Sequence, residues 1–193
     1  LAVIWTWHLA GTTGFHPGGI LAGKTSPLVL GVLYALFAFG IGKAALMPFH
    51  RWLPAAMVAP TPVSALLHAV AVVKAGVFAI LKITIYIFGL DLLSGTGATT
   101  PILWVAAITI IGASLIALHQ DNLKRRLAYS TISQLSYVVL GAVLANAAGI
   151  AGAAVHIATH AVGKITLFFC AGAILVAAHK TRVSELDGLG RQM

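Results

Sequence analysis

Three lysines lie within apolar stretches of this sequence that are long enough to form membrane helices. They are Lys43, Lys74 and Lys164, and no aspartate or glutamate lies in the same stretches. An ammonium group at the centre of a bilayer costs between ~3 and more than ~10 kcal/mol. Packing alone does not justify three such charges, so we expect each lysine to face a polar interior and to exchange a proton there. The pattern predicts part of a proton or cation pathway.

Each lysine also has a simpler interpretation, in which its long side chain reaches the lipid headgroups. Lys43 lies near the end of its apolar stretch, where this is easiest. Lys74 lies in the middle of HAVAVVKAGVFAIL, so a functional role is favoured there. Lys82 is nearer the far end of the same stretch and fits the simpler interpretation better.

A second polar pattern is a row of residues spaced by four, His156, His160 and Lys164, in the segment HIATHAVGK. Residues four apart are neighbours on one face of a helix, and this row covers roughly 12 Å. Histidine titrates near neutral pH and relays protons, so the row is a candidate proton path. The HxxxH pair is also compatible with zinc, but no Cys, Asp or Glu completes a ligand set. A purely structural role in helix packing is a further alternative.

His68 is another candidate for this path, four residues after Ser64. A lone histidine on an apolar face is often structural, and the sequence supports both roles equally. The stretch 130–137 is unusually polar for a membrane span, with four hydroxyl-bearing residues, a glutamine and a tyrosine among its eight positions. Its side chains suit hydrogen bonds to water or to neighbouring helices, and packing explains them about as well.

The composition is that of a polytopic membrane protein. Of the 193 residues, 60% are apolar and 8% are charged, and the mean hydropathy is +0.99, whereas soluble domains average about 25% charged residues. The net charge of +8 does not indicate nucleic-acid binding, because the basic residues are scattered as they are in membrane-protein loops. Cys170 is the single cysteine, which excludes an internal disulfide, and we expect it to be a packing residue.

No cofactor site is predicted. The sequence contains no glycine-rich phosphate loop, no CxxC pair and no candidate catalytic triad. Its four acids lie near predicted loops, at Asp91, Asp121, Glu185 and Asp187. An active site or a redox centre held by this chain alone is therefore not expected, and any redox chemistry would belong to partner subunits.

Hydropathy divides the chain, residues 1–193, into about six membrane spans of a single domain. A span needs about 20 mostly apolar residues. Because the sequence begins inside an apolar run and ends in a polar stretch, we expect it to be a fragment of a longer protein. The predicted spans are 1–10 (partial), 27–47 followed by a broken piece at 49–58, 63–88, 102–118, 127–145 and 150–178.

Four prolines follow Lys43 closely, within residues 48–62. Proline removes a backbone donor and breaks a helix. In lipid, a broken helix persists only where protein or water covers it, and such discontinuous helices form ion sites in transporters. The segment therefore predicts a discontinuous helix, and the alternative is a plain turn outside the membrane.

The basic residues of the predicted loops lie on one side of the membrane. If each span crosses once, the loops 48–62, 119–126 and 179–193 share a side, while the opposite loops hold only Lys24. The basic side should face the cytoplasm or its equivalent. The basic residues of that side are Arg51, Lys124, Arg125, Arg126, Lys180, Arg182 and Arg191.

Three segments of the sequence resemble one known family. The segment GKAALMPFHRWLPAAMVAPTPVSALLHAVAVVKAGVF closely resembles the signature of the antiporter-like subunits. These subunits occur in respiratory complex I, in multi-subunit cation/proton antiporters and in membrane-bound hydrogenases. The segments HQDNLKRRLAYSTISQLSYV and HIATHAVGKITLFFCAGAIL are similar to two further blocks of the same family, in the family's order. The resemblance covers residues from about 27 to 190.

The resemblance implies an all-α fold of about fourteen helices with two inverted repeats of five, each containing one discontinuous helix. It matches Lys43 to the lysine of the first broken helix, and Lys74 to the lysine or histidine position of the next helix. It matches His156, His160 and Lys164 to the polar row that links two half-channels.

The resemblance also implies charged residues that this chain does not contain. It matches Lys124 to a loop lysine at the start of a helix. A glutamate on an earlier helix would pair with Lys43, and a second lysine or glutamate would lie on the later broken helix. The chain would therefore cover the middle of the path.

By the same resemblance, the expected activity is translocation of protons, or of a monovalent cation coupled to protons, through buried lysines and histidines. The partners would be other membrane subunits, the lipid bilayer, protons and sodium, in the inner membrane of a bacterium or archaeon. Lys74 in VVKAGVF favours a multi-subunit cation/proton antiporter. The alternatives are a proton-pumping subunit of a complex I-type NADH-quinone oxidoreductase or membrane-bound hydrogenase, and a non-conducting membrane scaffold.

Overall fold

The computed structural model describes residues 1–69 and 71–191, and within them the regular structure is helical. A π-helical segment, Thr84–Phe88, continues directly from α5, and short 3₁₀ turns lie at Gly42–Ala44, Ala56–Val58, Val183–Glu185 and Leu189–Arg191. The α-helices in chain order are α1 (Ala2–Ala10), α2 (Pro27–Gly40), α3 (Trp52–Ala55), α4 (Thr61–Ala69), α5 (Val72–Ile83), α6 (Leu90–Thr96), α7 (Thr100–His119), α8 (Leu123–Val143) and α9 (Ala147–Ala178).

Three helical stretches in the described part of the chain are long and apolar enough to cross a membrane. They are Thr61–Phe88, Thr100–His119 and Ala147–Ala178. They fall where the sequence predicts spans at 63–88, 102–118 and 150–178, which supports an integral membrane protein. The count of six spans stays a prediction.

Helix α8 is polar for a membrane helix, yet it lies at the centre of the bundle. It packs against α7 on one side and α9 on the other, and also contacts α5. Its hydroxyl residues Thr131, Ser133 and Ser136 are buried together with its aliphatic ones. Ser133 donates across to the Ile110 carbonyl of α7 at 3.1 Å, whereas Thr131 and Ser136 donate to carbonyls one turn earlier in α8 itself.

Helix α2 ends at Gly40, well before residue 47, where the sequence predicts its end. Its 14 residues give about 21 Å of helix, which is short of the ~30 Å hydrocarbon core. The chain leaves the helix at Ile41 and places Lys43 on the 3₁₀ turn Gly42–Ala44. The cause is packing, because this turn lies directly against α5. A Cβ at Gly76 would be 2.5 Å from the Lys43 carbonyl carbon and 2.5 Å from the Ala44 nitrogen.

The irregular segment after Lys43 reaches the middle of a predicted span. The backbone N–H of Met47 donates to the Thr109 hydroxyl at 3.2 Å, and Thr109 lies halfway along α7. The Met47 sulfur also packs near Gly112, where a Cβ would be 3.4 Å from it. Contacts at this depth favour the discontinuous helix over a turn outside the membrane.

The three loops that carry the basic residues meet at one end of the bundle, as their charge predicts. Lys124 donates to the Ala59 carbonyl at 2.6 Å. The backbone N–H of Leu123 donates to the Thr181 carbonyl at 2.9 Å, and that of Val183 to the Asp121 carbonyl at 2.7 Å. We call this the basic end. At the opposite end, loop 11–26 packs on the π-helical segment, and Thr99 donates to the Val143 carbonyl at 2.8 Å.

Candidate functional site

The centre of the candidate site is a direct contact between Lys74 and His160. Lys74 lies in the first turn of α5, and His160 lies near the middle of α9, 86 residues later in the chain. The ammonium Nζ is hydrogen-bonded to the ring Nδ1, and the pair is buried. Only 6% of Lys74 and 8% of His160 is exposed. Lys74 and His160 both belong to the predicted path and lie on separate helices. They are therefore joined by a buried hydrogen bond.

Lys164 lies one helical turn beyond His160 and is 3% exposed. Its ammonium donates to the Ser130 hydroxyl at 2.8 Å and to the Leu127 carbonyl at 3.2 Å. Both acceptors belong to the first turns of α8. The buried charge is thus held by neutral oxygens rather than by a carboxylate.

The row on α9 continues toward the opposite end through His156. The rings of His156 and His160 are stacked, with centroids 5.8 Å apart and planes inclined by 21°. The Tyr137 ring of α8 lies beyond them, 6.3 Å from the His156 ring. The predicted spacing of four therefore gives one continuous polar row, from Lys164 to His156.

His68 packs against the same face of α9. Its side chain is fully buried, and its ring lies 5.1 Å from the ring of Phe168, one turn beyond Lys164. Within the described residues neither of its ring nitrogens has a hydrogen-bond partner, and the same holds for Nε2 of His156 and of His160. A buried polar atom left without a partner costs about 1–3 kcal/mol. Such atoms are expensive to keep for packing alone.

Lys43 differs from the other two lysines. Its side chain is exposed on the surface of the described helices, although its backbone packs against Gly76, two residues from Lys74. It therefore does not join the contacts of Lys74, His160 and Lys164. The expectation that Lys43 faces a polar interior stays a prediction, because the described helices leave its side chain uncovered.

Acidic side chains do not enter the cluster in the described part of the chain. Asp91, Asp121, Glu185 and Asp187 are all exposed. Among the described residues there is also no group of three His, Cys, Asp or Glu side chains that could hold a metal ion. Cys170 is exposed on α9, contrary to the expectation that it packs internally.

Ser130 is the site residue that the sequence did not single out. In the sequence, the stretch 130–137 is polar as a whole, and helix packing explains it as well as function does. A hydroxyl donor pattern cannot by itself identify the residue that faces a lysine on another helix. The contact with Lys164 requires the α8–α9 packing.

Comparison with known proteins places this chain in a family. The sequence profile described as NADH:quinone oxidoreductase/Mrp antiporter, TM, matches residues 1–193. The chain belongs to this family. The predicted family is thereby confirmed, and with it the antiporter-like, all-α membrane fold.

Curated relatives of this NADH:quinone oxidoreductase/Mrp antiporter family chain are subunits of redox complexes. F(420)H(2) dehydrogenase subunit L of Methanosarcina mazei is 35% identical over 177 residues, which are 90% of this chain and 25% of that protein. NADH-quinone oxidoreductase subunit L of Campylobacter jejuni is 38% identical over 193 residues, which are 98% of this chain and 31% of that protein. The chain spans about a quarter to a third of the length of these relatives.

Chains of two membrane complexes with solved structures are also similar to this chain. The Mrp complex of Dietzia sp. contains a chain with a TM-score of 0.78 and 33% identity, covering 91% of this chain and 19% of that one. The membrane-bound sulfane sulfur reductase, an archaeal respiratory membrane complex, gives a TM-score of 0.79 and 30% identity, covering 97% of this chain and 38% of that one. Family members similar to this integral membrane chain thus work as subunits of multi-subunit membrane complexes.

Proposed function

We propose that this chain forms the central part of a proton path, in a subunit that translocates protons or a monovalent cation coupled to protons. The observation that supports this most is the buried contact between Lys74 and His160, with Lys164 one turn away on the same face. Lys74 of α5 and His160 and Lys164 of α9 can each carry a proton, and they lie together inside a membrane bundle. Acidic partners are lacking among the described residues of that row.

Repulsion between like charges gives this row a mechanism. Placing a proton on both Lys74 and Lys164 puts two positive charges in one low-dielectric interior, where Coulomb interactions are strong. A state in which Lys74 and Lys164 share one excess proton is therefore favoured over a state in which each carries a proton. A charge that approaches or leaves at one end would then change which group holds that proton, and so move it along the row through His160.

Lys43 has a separate place in this proposal. Its exposed ammonium lies on the outer surface of the described helices, beside the turn that contacts Gly76. The family resemblance implies a glutamate on an earlier helix as its partner. We infer that Lys43 receives this carboxylate and acts as the charged switch next to Lys74, rather than as a member of the buried row.

The proposed setting is a multi-subunit complex in a bacterial or archaeal cell membrane, with protons, and sodium in the antiporter branch, as transported ions. The Mrp complex and the sulfane sulfur reductase among the similar structures support this setting. The dehydrogenase and NADH-quinone oxidoreductase relatives support a path that is coupled to redox partners in other complexes. Sodium dependence of proton movement in vesicles distinguishes the two branches.

The test is Lys74→Ala in the full-length protein within its complex, with Lys82→Ala as the matched control. Lys82 lies on the same helix, but its ammonium sits over the Phe15 ring at 4.4 Å and not in the row. We expect Lys74→Ala to abolish coupled ion transport in membrane vesicles while the complex still assembles, and Lys82→Ala to retain transport. Normal transport with normal assembly in Lys74→Ala would refute the proposal and leave the non-conducting scaffold.

A further inference from the structure

The break after α2 separates two backbone groups that a continuous helix would pair. In an α-helix each N–H donates to the carbonyl four residues earlier, so Met47 would donate to the Lys43 carbonyl. Here the helix ends at Gly40 and Lys43 lies on a turn. Residues 44–46, between the two groups, are at most 3% exposed. A buried backbone N–H needs an acceptor, so the Met47 N–H requires one from outside the helix.

The acceptor is the hydroxyl of Thr109, on α7. The Met47 nitrogen lies 3.2 Å from the Thr109 oxygen. The hydrogen of this hydroxyl is donated to the Val105 carbonyl at 2.7 Å, one turn earlier in α7. Because a hydroxyl has one hydrogen, Thr109 acts toward Met47 as an acceptor. It therefore takes the place that the Lys43 carbonyl has in a continuous helix.

Thr109 lies at a fully buried position of an apolar helix, with isoleucines at 108, 110 and 111. Burying a hydroxyl costs free energy unless it is hydrogen-bonded. A valine has nearly the same shape and would fill the position without that requirement. The use of a threonine here is therefore explained by the N–H that it binds, and not by the space that it fills.

The conformation of the turn shows that contacts from outside hold it. Ala45 has φ 54° and ψ 36°, in the left-handed region. This is unfavourable for a residue other than glycine and persists where the surroundings impose it. On one side Gly76 of α5 leaves room for the Lys43 backbone. On another, the Trp52 indole N–H donates to the Gly42 carbonyl at 3.1 Å. Helix α7 supplies the third contact.

We propose that Thr109 is a positioning residue for Lys43, because its hydroxyl binds the Met47 N–H and so keeps the helix interrupted at the lysine. This inference rests on the proposed function, in which Lys43 is the charged switch next to Lys74. Without the hydroxyl, the acceptor that helical geometry offers to Met47 is the Lys43 carbonyl. Forming that bond rebuilds helix over residues 43–47 and moves the Lys43 ammonium from its place beside α5.

Transport by Thr109→Val and Thr109→Ser tests this role in the full-length protein within its complex. Thr109→Val keeps the shape and removes the hydroxyl, whereas Thr109→Ser keeps the hydroxyl. We expect Thr109→Val to lower coupled ion transport on the order of a hundredfold, the scale of a small misplacement of a reacting group. Thr109→Ser should keep most of the transport.

Thr6→Val is the matched control for the loss of a buried hydroxyl. Thr6 is 1% exposed, and its hydroxyl donates to the Ala2 carbonyl of its own helix at 2.9 Å. We expect Thr6→Val to retain transport. A Thr109→Ser complex as impaired as Thr109→Val would assign Thr109 to packing and overturn the proposal.

Cross-linking in a cysteine-free background of the same complex reads the position of the turn directly. A Cβ at Gly112 would lie 3.4 Å from the Met47 sulfur, so Met47→Cys and Gly112→Cys place two thiols close together and leave the Met47 N–H intact. We expect the short reagent 1,2-ethanediyl bismethanethiosulfonate to link them efficiently with the native Thr109 and in Thr109→Ser. The yield should be several-fold lower in Thr109→Val.

The two measurements separate the positioning role from the proposed function. Equal cross-linking with and without the hydroxyl, or none in either case, would overturn the role of Thr109 whatever the transport result. Full transport in Thr109→Val, with Lys74→Ala inactive, would also overturn it and leave the proposed function standing. A native gel reports assembly, and Thr109→Ala removes the same hydroxyl with less volume if Thr109→Val does not assemble.

Discussion

Lys43 and Lys164 occupy similar apolar sequence but very different places in the molecule. Lys164 is buried in the middle of a 32-residue helix and held by a hydroxyl and a carbonyl of α8. Lys43 stands exposed on a short turn where a helix has ended. The difference teaches that the apolar neighbours of a lysine in sequence do not decide its burial. What decides it is whether the next helix covers that face.

The largest expected effect comes from exchanging each lysine for arginine. A guanidinium keeps its proton at any accessible pH and so preserves charge but not proton transfer. Lys164→Arg should therefore lower proton translocation on the order of a hundredfold. Lys43→Arg should lower proton translocation several-fold less, because the proposed role of Lys43 is to carry a charge that pairs with a carboxylate, and arginine keeps that charge. Transport by the assembled complex in vesicles measures both.

Equal losses in the two arginine variants would remove the distinction between a buried row and an exposed switch. If Lys43→Arg and Lys164→Arg both keep full transport, proton transfer does not pass through Lys164. In either experiment, the amount of assembled complex on a native gel separates loss of transport from loss of folding.

The next effect concerns Gly76, the residue of α5 against which the Lys43 turn packs. A methyl group there would lie 2.5 Å from the backbone of the Lys43 turn, which is closer than atoms tolerate. We expect Gly76→Ala to destabilise the protein by about 1–3 kcal/mol, the usual cost of overpacking. Gly40→Ala is the control, since a Cβ there meets no atom within 4 Å.

Thermal unfolding of the detergent-solubilised complex measures this pair of glycine variants. The expected order is a lower Tm for Gly76→Ala than for Gly40→Ala. Identical Tm values would mean that the turn carrying Lys43 is not packed against α5 as described.

A smaller effect is expected at His68, which lies beside the buried row. His68→Phe keeps an aromatic ring against Phe168 but removes two ring nitrogens that have no partner among the described residues. We expect unchanged or higher thermal stability, since unpaired buried polar atoms are costly, together with a partial loss of transport. Full transport in a stable His68→Phe complex would make His68 a structural residue.

The smallest expected effect concerns Asp121, which lies at the basic end, outside the predicted spans. Asp121 accepts the Ser184 backbone N–H and hydroxyl, both at 2.9 Å, and these bonds hold the pKa of its carboxyl below its usual value. A carboxyl with a lowered folded-state pKa stabilises the fold above its unfolded pKa, and the stabilisation is lost as pH falls through the folded pKa.

Hydrogen exchange at the Ser184 amide reports this contact. Protection should decrease at acid pH in the wild type, and Asp121→Asn should remove that pH dependence. Asp187→Asn, at an exposed acid of the same loop region, should leave it unchanged. A pH-independent wild type would show that the loop contact does not depend on the Asp121 charge.

Much of the fold was predictable because it depends on local pattern. The apolar runs at 63–88, 102–118 and 150–178 coincide with helices, since an uninterrupted apolar stretch of that length satisfies its backbone bonds only as a helix in lipid. The spacing of His156, His160 and Lys164 fixed their common face. The end of α2 at Gly40 was missed, because the close contact with Gly76 that requires it comes from another helix.

The sequence by itself determined the membrane class, the family, the end of the bundle at which the basic loops gather, and the polar row of α9. These depend on composition, helical period and charge, which are properties of neighbouring residues. Only the tertiary structure decided that Lys74 meets His160, that Ser130 holds Lys164, and that Lys43 stays outside the row. Those facts depend on the register in which α5, α8 and α9 pack, and packing register is set by contacts between residues far apart in the chain.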